Sequence, residues 1–248
     1  ASTVAPTGTS TSTLVTADGY HWKYLYTVDA GNALKFLTNS WQPVKTLASD
    51  DGSAQWDVQA AAANGAINII DVNAPGNSYL TQSGTLVAVA DGDTMTLSSG
   101  ASGTDNIYNG SALYIASGLG SGQVREITDY VGATKVVQLK TTFSTTPNTS
   151  STYAVGPLVT ITGDGSGAAA YANVVIGGAN GNTVNYVNMI SVGSGYSKAA
   201  ITITANTSHG SSATATGYVA PPGGHGSDAM SELAGHNVVL NVQLDGSE

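Results

Sequence analysis

Between residues 67 and 219 one pattern of strands and glycines is written twice, and this duplication restricts the fold more than any other feature of the chain. Ile67-Asn68-Ile69-Ile70-Asp71-Val72 leads into Gly76-Asn77-Ser78-Tyr79. Val187-Asn188-Met189-Ile190-Ser191-Val192 leads into Gly193-Ser194-Gly195-Tyr196, with three fewer residues before the turn. A second pairing overlaps the first. Val159-Thr160-Ile161-Thr162, the glycine-rich Gly163–Gly167 and then Ala168–Val174 match Ile201-Thr202-Ile203-Thr204, Ala205–Ser212 and Ala213–Val219. The unit reads as strand, glycine bend, alanine-alternating strand, hairpin, strand and Gly-x-x-Tyr bend. Period-two alternation specifies strands, and glycine admits the positive φ of tight bends. The tyrosine after each bend is expected to fold back over the sheet as a plug. Two copies are too few for a solenoid, so the fold class is all-β, a β-sandwich with internal Gly-rich repeats.

A different block, 89–156, lies between the copies. Thr94–Leu97, Ala112–Ile115, Val124–Tyr130, Lys135–Leu139 and Thr152–Val155 read as short strands. Asn109-Gly110, Gly118–Gly122 and Pro147-Asn148 separate them as turns. This is an inserted small β-module, nested in a domain spanning 51–220.

The flanks differ from the middle. Residues 1–50 contain a Ser/Thr-rich stretch, Ala1–Thr13, read as a flexible lead-in or the edge of a larger protein, and then an aromatic run expected to be one strand over Leu14–Val28. There Tyr20, Trp22, Tyr24 and Tyr26 alternate with His21, Lys23 and Leu25, after the turn pair Asp18-Gly19. Such a row serves a core, a subunit interface or a sugar platform, and burial is its commonest use. A short helix is expected near 30–37, with Ala33, Leu34 and Leu37 on one side, followed by the extended Trp41-Gln42-Pro43-Val44. Residues 221–248 open on Pro221-Pro222-Gly223-Gly224-His225-Gly226. A short helix near 227–235, capped by Ser227 or Asp228, and a strand over Asn237–Leu244 are expected to follow. His225 is expected to bond neighbouring backbone and fix its turn.

Composition bounds the chemistry. Charged residues make up 9% of the chain, against roughly 25% in an ordinary soluble domain. Seven Lys and Arg in a chain of net charge −9 form no basic stripe, so neither nucleic acid nor an acidic membrane surface is an expected partner. Cysteine is absent, which excludes disulfides and thiolate metal sites. Asp91 with Asp93, Asp50 with Asp51, and Asp164 are the carboxylates that could be paired for glycoside hydrolysis or offered to calcium. Each sits beside glycine in turn sequence, where Asp bonds backbone. The Gly-Ser runs carry no nucleophile-elbow context, and Gly163–Gly167 lacks the Lys-Ser/Thr ending of a phosphate loop. No catalytic residue, metal or cofactor is expected. The candidate residues are interface or core positions: Tyr20, Trp22, Tyr24, Tyr26, Trp41 and His225.

Three stretches carry a resemblance. Asp18–Tyr26 with Trp41–Val44 resembles the baseplate wedge subunit of contractile-tailed phages of the T-even-like and cyanophage type, in which such an aromatic strand precedes a segment ending in Pro-Val. Asn109–Tyr130 is similar to a small β-module of phage tail proteins, and Pro221–Glu248 to the segment returning to the wedge family's main domain. The resemblance implies an internal segment of an all-β virion protein, assembled in the host cytoplasm. Its partners would be other wedge proteins and a second copy of itself, and it would have no enzymatic activity. The competing reading is a receptor- or glycan-binding tail or cell-surface adhesin module.

Overall fold

Small, hydroxyl-bearing and β-branched residues in alternation favour extended backbone, and the computed structural model is built mainly of strands, with three short helices. It describes residues 1–177, 181–206 and 209–237. The expected strand over Asn237–Leu244 lies outside these apart from its first residue. The chain divides into two compact units, Ala1–Ala63 together with the segment from Pro221, and Asn64–Ala220.

The first unit has little regular structure. Strands β1 (Leu14–Val15) and β2 (His21–Trp22) form a two-stranded hairpin. Helices α1 (Ala30–Phe36), α2 (Ala54–Ala60) and α3 (Ala229–Glu232) are capped by Asp29, Ser53 and Asp228, whose side chains accept the amides of Asn32, Trp56 and Ser231. Two expectations are corrected here. The single strand expected over Leu14–Val28 is instead a hairpin of two two-residue strands, because the chain turns back at Asp18-Gly19 and the ladder ends at Leu14↔Trp22. The division placed at 50/51 falls at 63/64, because residues 54–60 form a helix whose Val58 is 1% exposed and lies against Gly226.

The second unit contains β3 (Ile67–Asn77), β4 (Gln82–Thr85), β5 (Ala88–Val89), β6 (Thr94–Thr96), β7 (Ser111–Ser117), β8 (Val124–Val131) and β9 (Val136–Leu139). It continues with β10 (Thr152–Gly163), β11 (Ser166–Val175), β12 (Thr183–Ser194), β13 (Ala199–Thr204) and β14 (Ser211–Val219). One sheet has the order β11-β12-β3-β14, and it faces the ribbon formed by β13 and the second half of β10. Ile67, Ile70, Ala170, Ala172, Val184, Val187 and Ile203 fill the space between them. Each fully buried Ile or Val here contributes roughly 2 kcal/mol of transfer free energy.

The duplicated sequence appears as a twofold relation in the pairing. Exchanging β3 with β12, β11 with β14, and β13 with the second half of β10 leaves the sheet order unchanged. The ladder pair Val187↔Ile70 maps onto Ile67 opposite Ile190, in the same register. Val159↔Ile203 maps onto Ile161↔Ile201, also a ladder pair. The alanine strands correspond with a two-residue offset from the alignment expected in sequence. Ala168 faces Val192 as Ala215 faces Val72, so Tyr171 is the counterpart of Tyr218.

Both tyrosine plugs form, Tyr79 at 2% and Tyr196 at 6% exposure. Gly76 (φ +64) and Gly193 (φ +62) precede them, and a Cβ at either would meet backbone within 2.6 Å and the tyrosine ring within 2.9 Å. Tyr79 lies over Gly210 in the β13–β14 bend, and Tyr196 over Gly163 and Gly165 in the β10–β11 bend. These bends are twofold counterparts. The Tyr79 hydroxyl also accepts the Ala213 amide at 3.1 Å.

The small β-module enters after the first plug. The second copy passes from Tyr196 to β13 through Ser197 and Lys198, whereas the first makes an excursion from Leu80 to Pro157. The excursion starts earlier than the expected residue 89, because β4 already pairs with β10 and Leu86 is buried. It has a separate core of Met95, Leu97, Leu113, Ile115, Ile127, Val137 and Val155, with Tyr108, Tyr130 and Tyr153. The buried hydroxyls are satisfied. Tyr130 donates to the Ser102 carbonyl, Tyr108 accepts the Ser102 amide, and Tyr153 accepts the Ser98 amide. Burial pushes the Tyr130 phenol up to about 12. Tyr114 of the module stacks on Tyr171 of the sandwich with centroids 4.6 Å apart, while the counterpart Tyr218 is 54% exposed.

Candidate docking surface

The aromatic row is organised by its turn. Gly19 donates to the Thr16 carbonyl and Thr16 to the Tyr20 carbonyl, closing the hairpin between β1 and β2. Asp18 in this turn accepts the Ser2 and Thr16 hydroxyls and the Thr3 and Val4 amides. These bonds hold its carboxyl far below the usual range and fasten the N-terminal segment beside the hairpin. The Trp22 indole N–H donates to Thr16 Oγ1 at 3.2 Å.

The structure leaves the six candidate residues outside any apolar core. Tyr20 is exposed and its ring lies 6.3 Å from that of Trp22. Trp22, Tyr24 and Tyr26 are half-buried, and Trp41 is 66% exposed. The Tyr24 hydroxyl pairs with Thr27 Oγ1, and the Tyr26 hydroxyl accepts from the Gln42 amide. Trp22, Tyr24 and Tyr26 line a cleft of about 290 Å³ whose opposite wall includes Pro6, Ser10 and Ser12. Lys23 is in the same lining and donates to the Thr11 carbonyl. Partial burial pushes its ammonium pKa down, opposed by the charge of Glu232.

His225 departs from its expected role. Its Nδ1 lies 2.5 Å from Glu232 Oε1, and the other oxygen of Glu232 accepts the Gly226 amide. The turn is thus fixed by a carboxylate seven residues away, with the histidine as its partner. Thr46 donates to Asp228, and Gln55 and Gln59 bond the backbone of Lys45 and Leu47, so α2, α3 and residues 45–47 are tied by polar contacts.

Beyond these ties the first unit presents apolar side chains to solvent. Helix α1 buries no residue. Leu34 is 89% exposed, Phe36 49% and Leu37 48%, with Trp41 close behind in sequence. The grouping of Ala33, Leu34 and Leu37 was visible in the sequence, but no core element receives it. Phe36 and Lys23 were not recognised as surface candidates. The signals that could have found them are the missing apolar partner for so short a helix and the clustering of Lys23, Lys35 and Lys45 in an otherwise acidic chain.

Of the five carboxylates considered for chemistry, Asp93 accepts the Thr94 hydroxyl and the other four accept backbone amides. Asp91 accepts the amides of Asp93 and Thr94, Asp50 that of Gly52, and Asp51 that of Ser53. Asp164 accepts the Ser197 hydroxyl and the amides of Ser197 and Lys198. Among the described residues no three His, Asp or Glu side chains converge as a metal site would require, and no helix is long and apolar enough to cross a membrane.

Compared with known proteins, the chain matches no protein-family model, no curated protein and no solved structure.

Proposed function

We propose that the chain is a structural subunit of a phage tail baseplate wedge, held by permanent contact with neighbouring wedge proteins and a second copy of itself, and free of catalysis. The observation that carries this reading is the apolar surface of the first unit: Leu34, Phe36, Leu37, Trp41 and Tyr20 are exposed, while no residue of α1 is buried. Large apolar side chains left exposed in such number are a mark of interaction surfaces. The sequences that resemble the wedge family at either end of the chain also fall in this one unit. In this reading the protein resides in the virion, after assembly in the host cytoplasm. The test is incorporation. Leu34→Glu and Trp41→Glu chains should fail to enter tails while unfolding in urea like the parent, and normal incorporation of both would refute the reading.

One observation favours a second reading, a glycan-binding adhesin module. Half-buried aromatics facing serines across a cleft suit the faces and hydroxyls of a sugar. The lining contains no Asp, Asn, Glu or Gln to grip sugar hydroxyls. Calorimetric titration with neutral oligosaccharides separates the readings, since only the adhesin predicts saturable heat lost in Trp22→Ala.

A further inference from the structure

We propose that Lys23–Val28 is an open strand edge, completed in the assembled state by an extended acidic segment of a neighbouring protein that adds to it as a β-strand. This rests on the assembly reading above and specifies its chemistry at one site.

The first argument is hydrogen bonding. Lys23–Val28 continues β2 with the aromatic alternation of a strand, yet among the described residues no backbone N–H or C=O of the segment makes a hydrogen bond. Continuing the β1–β2 register would bring Thr13, Ser12 and Thr11 opposite Lys23, Tyr24 and Leu25. The arms instead part after Leu14↔Trp22, and the cleft lies between them. Backbone donors and acceptors left without partners are a template for another strand. A sugar cannot match their alternation, whereas a peptide strand does so and sends every second side chain among Trp22, Tyr24 and Tyr26.

The second argument is charge complementarity, and it decides the partner's sign. Residues 20–49 hold Lys23, Lys35 and Lys45 against Asp29 alone, within a chain of net charge −9. Lys23 has lost part of its hydration in the cleft; among the described residues its ammonium bonds the Thr11 carbonyl, and Glu232 acts on it through charge without a hydrogen bond. A carboxylate arriving in the cleft would gain a partly desolvated cation, and a basic segment would be repelled.

The experiment uses the full chain and two blocked peptides of about ten residues, one alternating Thr and Glu and the other Thr and Lys, a length that spans a typical strand. The expected result is that the Thr-Glu peptide slows amide exchange at Tyr24–Val28 by about tenfold or more and the Thr-Lys peptide does not. Leu25→Pro, which removes a donor, should abolish the effect. Lys23→Gln should weaken binding several-fold, and added salt should do the same. Equal protection by both peptides, protection by neither, or slow exchange at Tyr24–Val28 before any peptide is added would overturn the proposal. Exclusion of the chain from tails is a separate result that would remove the assembly reading, so the two failures are distinguishable.

Discussion

The sandwich and the first unit differ in how far they satisfy themselves. In the sandwich each half of the duplication supplies what the other needs: a strand for the shared ladders, apolar side chains for a common core, and a bend for each tyrosine plug. The first unit has capped helices and a fastened turn, but α1 is unburied and Lys23–Val28 has no ladder. A chain with few charges can stay folded where it closes on itself. Where it does not close, as at α1 and Lys23–Val28, it leaves apolar side chains exposed and backbone groups without a hydrogen bond among the described residues.

The largest effects that could break this comparison are core truncations. Leu113→Ala, at a fully buried module position, should cost about 3 kcal/mol, whereas Leu34→Ala should cost less than about 0.5 kcal/mol in the isolated chain. Urea unfolding measures both, and comparable losses would show that α1 has a core after all. Next come the bend glycines. Gly76→Ala and Gly193→Ala each force a Cβ into backbone and a tyrosine ring at positive φ, so each should cost about 2–3 kcal/mol. Similar values sharpen the twofold account, and a large loss at one site only would break it. A smaller effect is expected for Tyr79→Phe, which leaves the Ala213 amide without its acceptor, at about 1 kcal/mol.

The subtlest test is acid. Asp164 is held well below the usual carboxylate range by the Ser197 hydroxyl and the Ser197 and Lys198 amides. A depressed folded-state value means that this contribution is fully present above the unfolded carboxylate value near 4 and is lost as the pH falls below it toward the folded-state value. The urea midpoint of Asp164→Asn should therefore trail the parent at neutral pH and approach it in acid. A gap that does not narrow in acid would show that Asp164 does not act through its charge.

Much of the second unit is legible in the sequence, because its signals are local. Alternation marks the strands, and glycine followed by tyrosine marks both plugs. The two-residue offset between β11 and β14 is not legible from alanine spacing, since a shift of two keeps every side chain on its face. The tyrosines at 171 and 218 are the better markers. In the first unit the same local logic misleads. Tyr20–Tyr26 has strand propensity, but a strand also needs a neighbour, and the neighbour is set by long-range pairing that no window of sequence displays. Helix α2 was missed because only Gln55 and Val58 are buried, too few for a clear period, although Ser53 offers a cap. The His225 turn was recognised as a turn, but its carboxylate partner Glu232 lies on the next helix.

Hydrogen exchange, read on the isolated chain and again on assembled tails, tests the central claim most directly. In the isolated chain β7, β10 and β12 should exchange slowly while Tyr24–Val28 exchanges close to the unfolded rate. In assembled tails Tyr24–Val28 should become protected and the strands should change little. Slow exchange of Tyr24–Val28 in the isolated chain, or no gain in protection on assembly, would contradict the account.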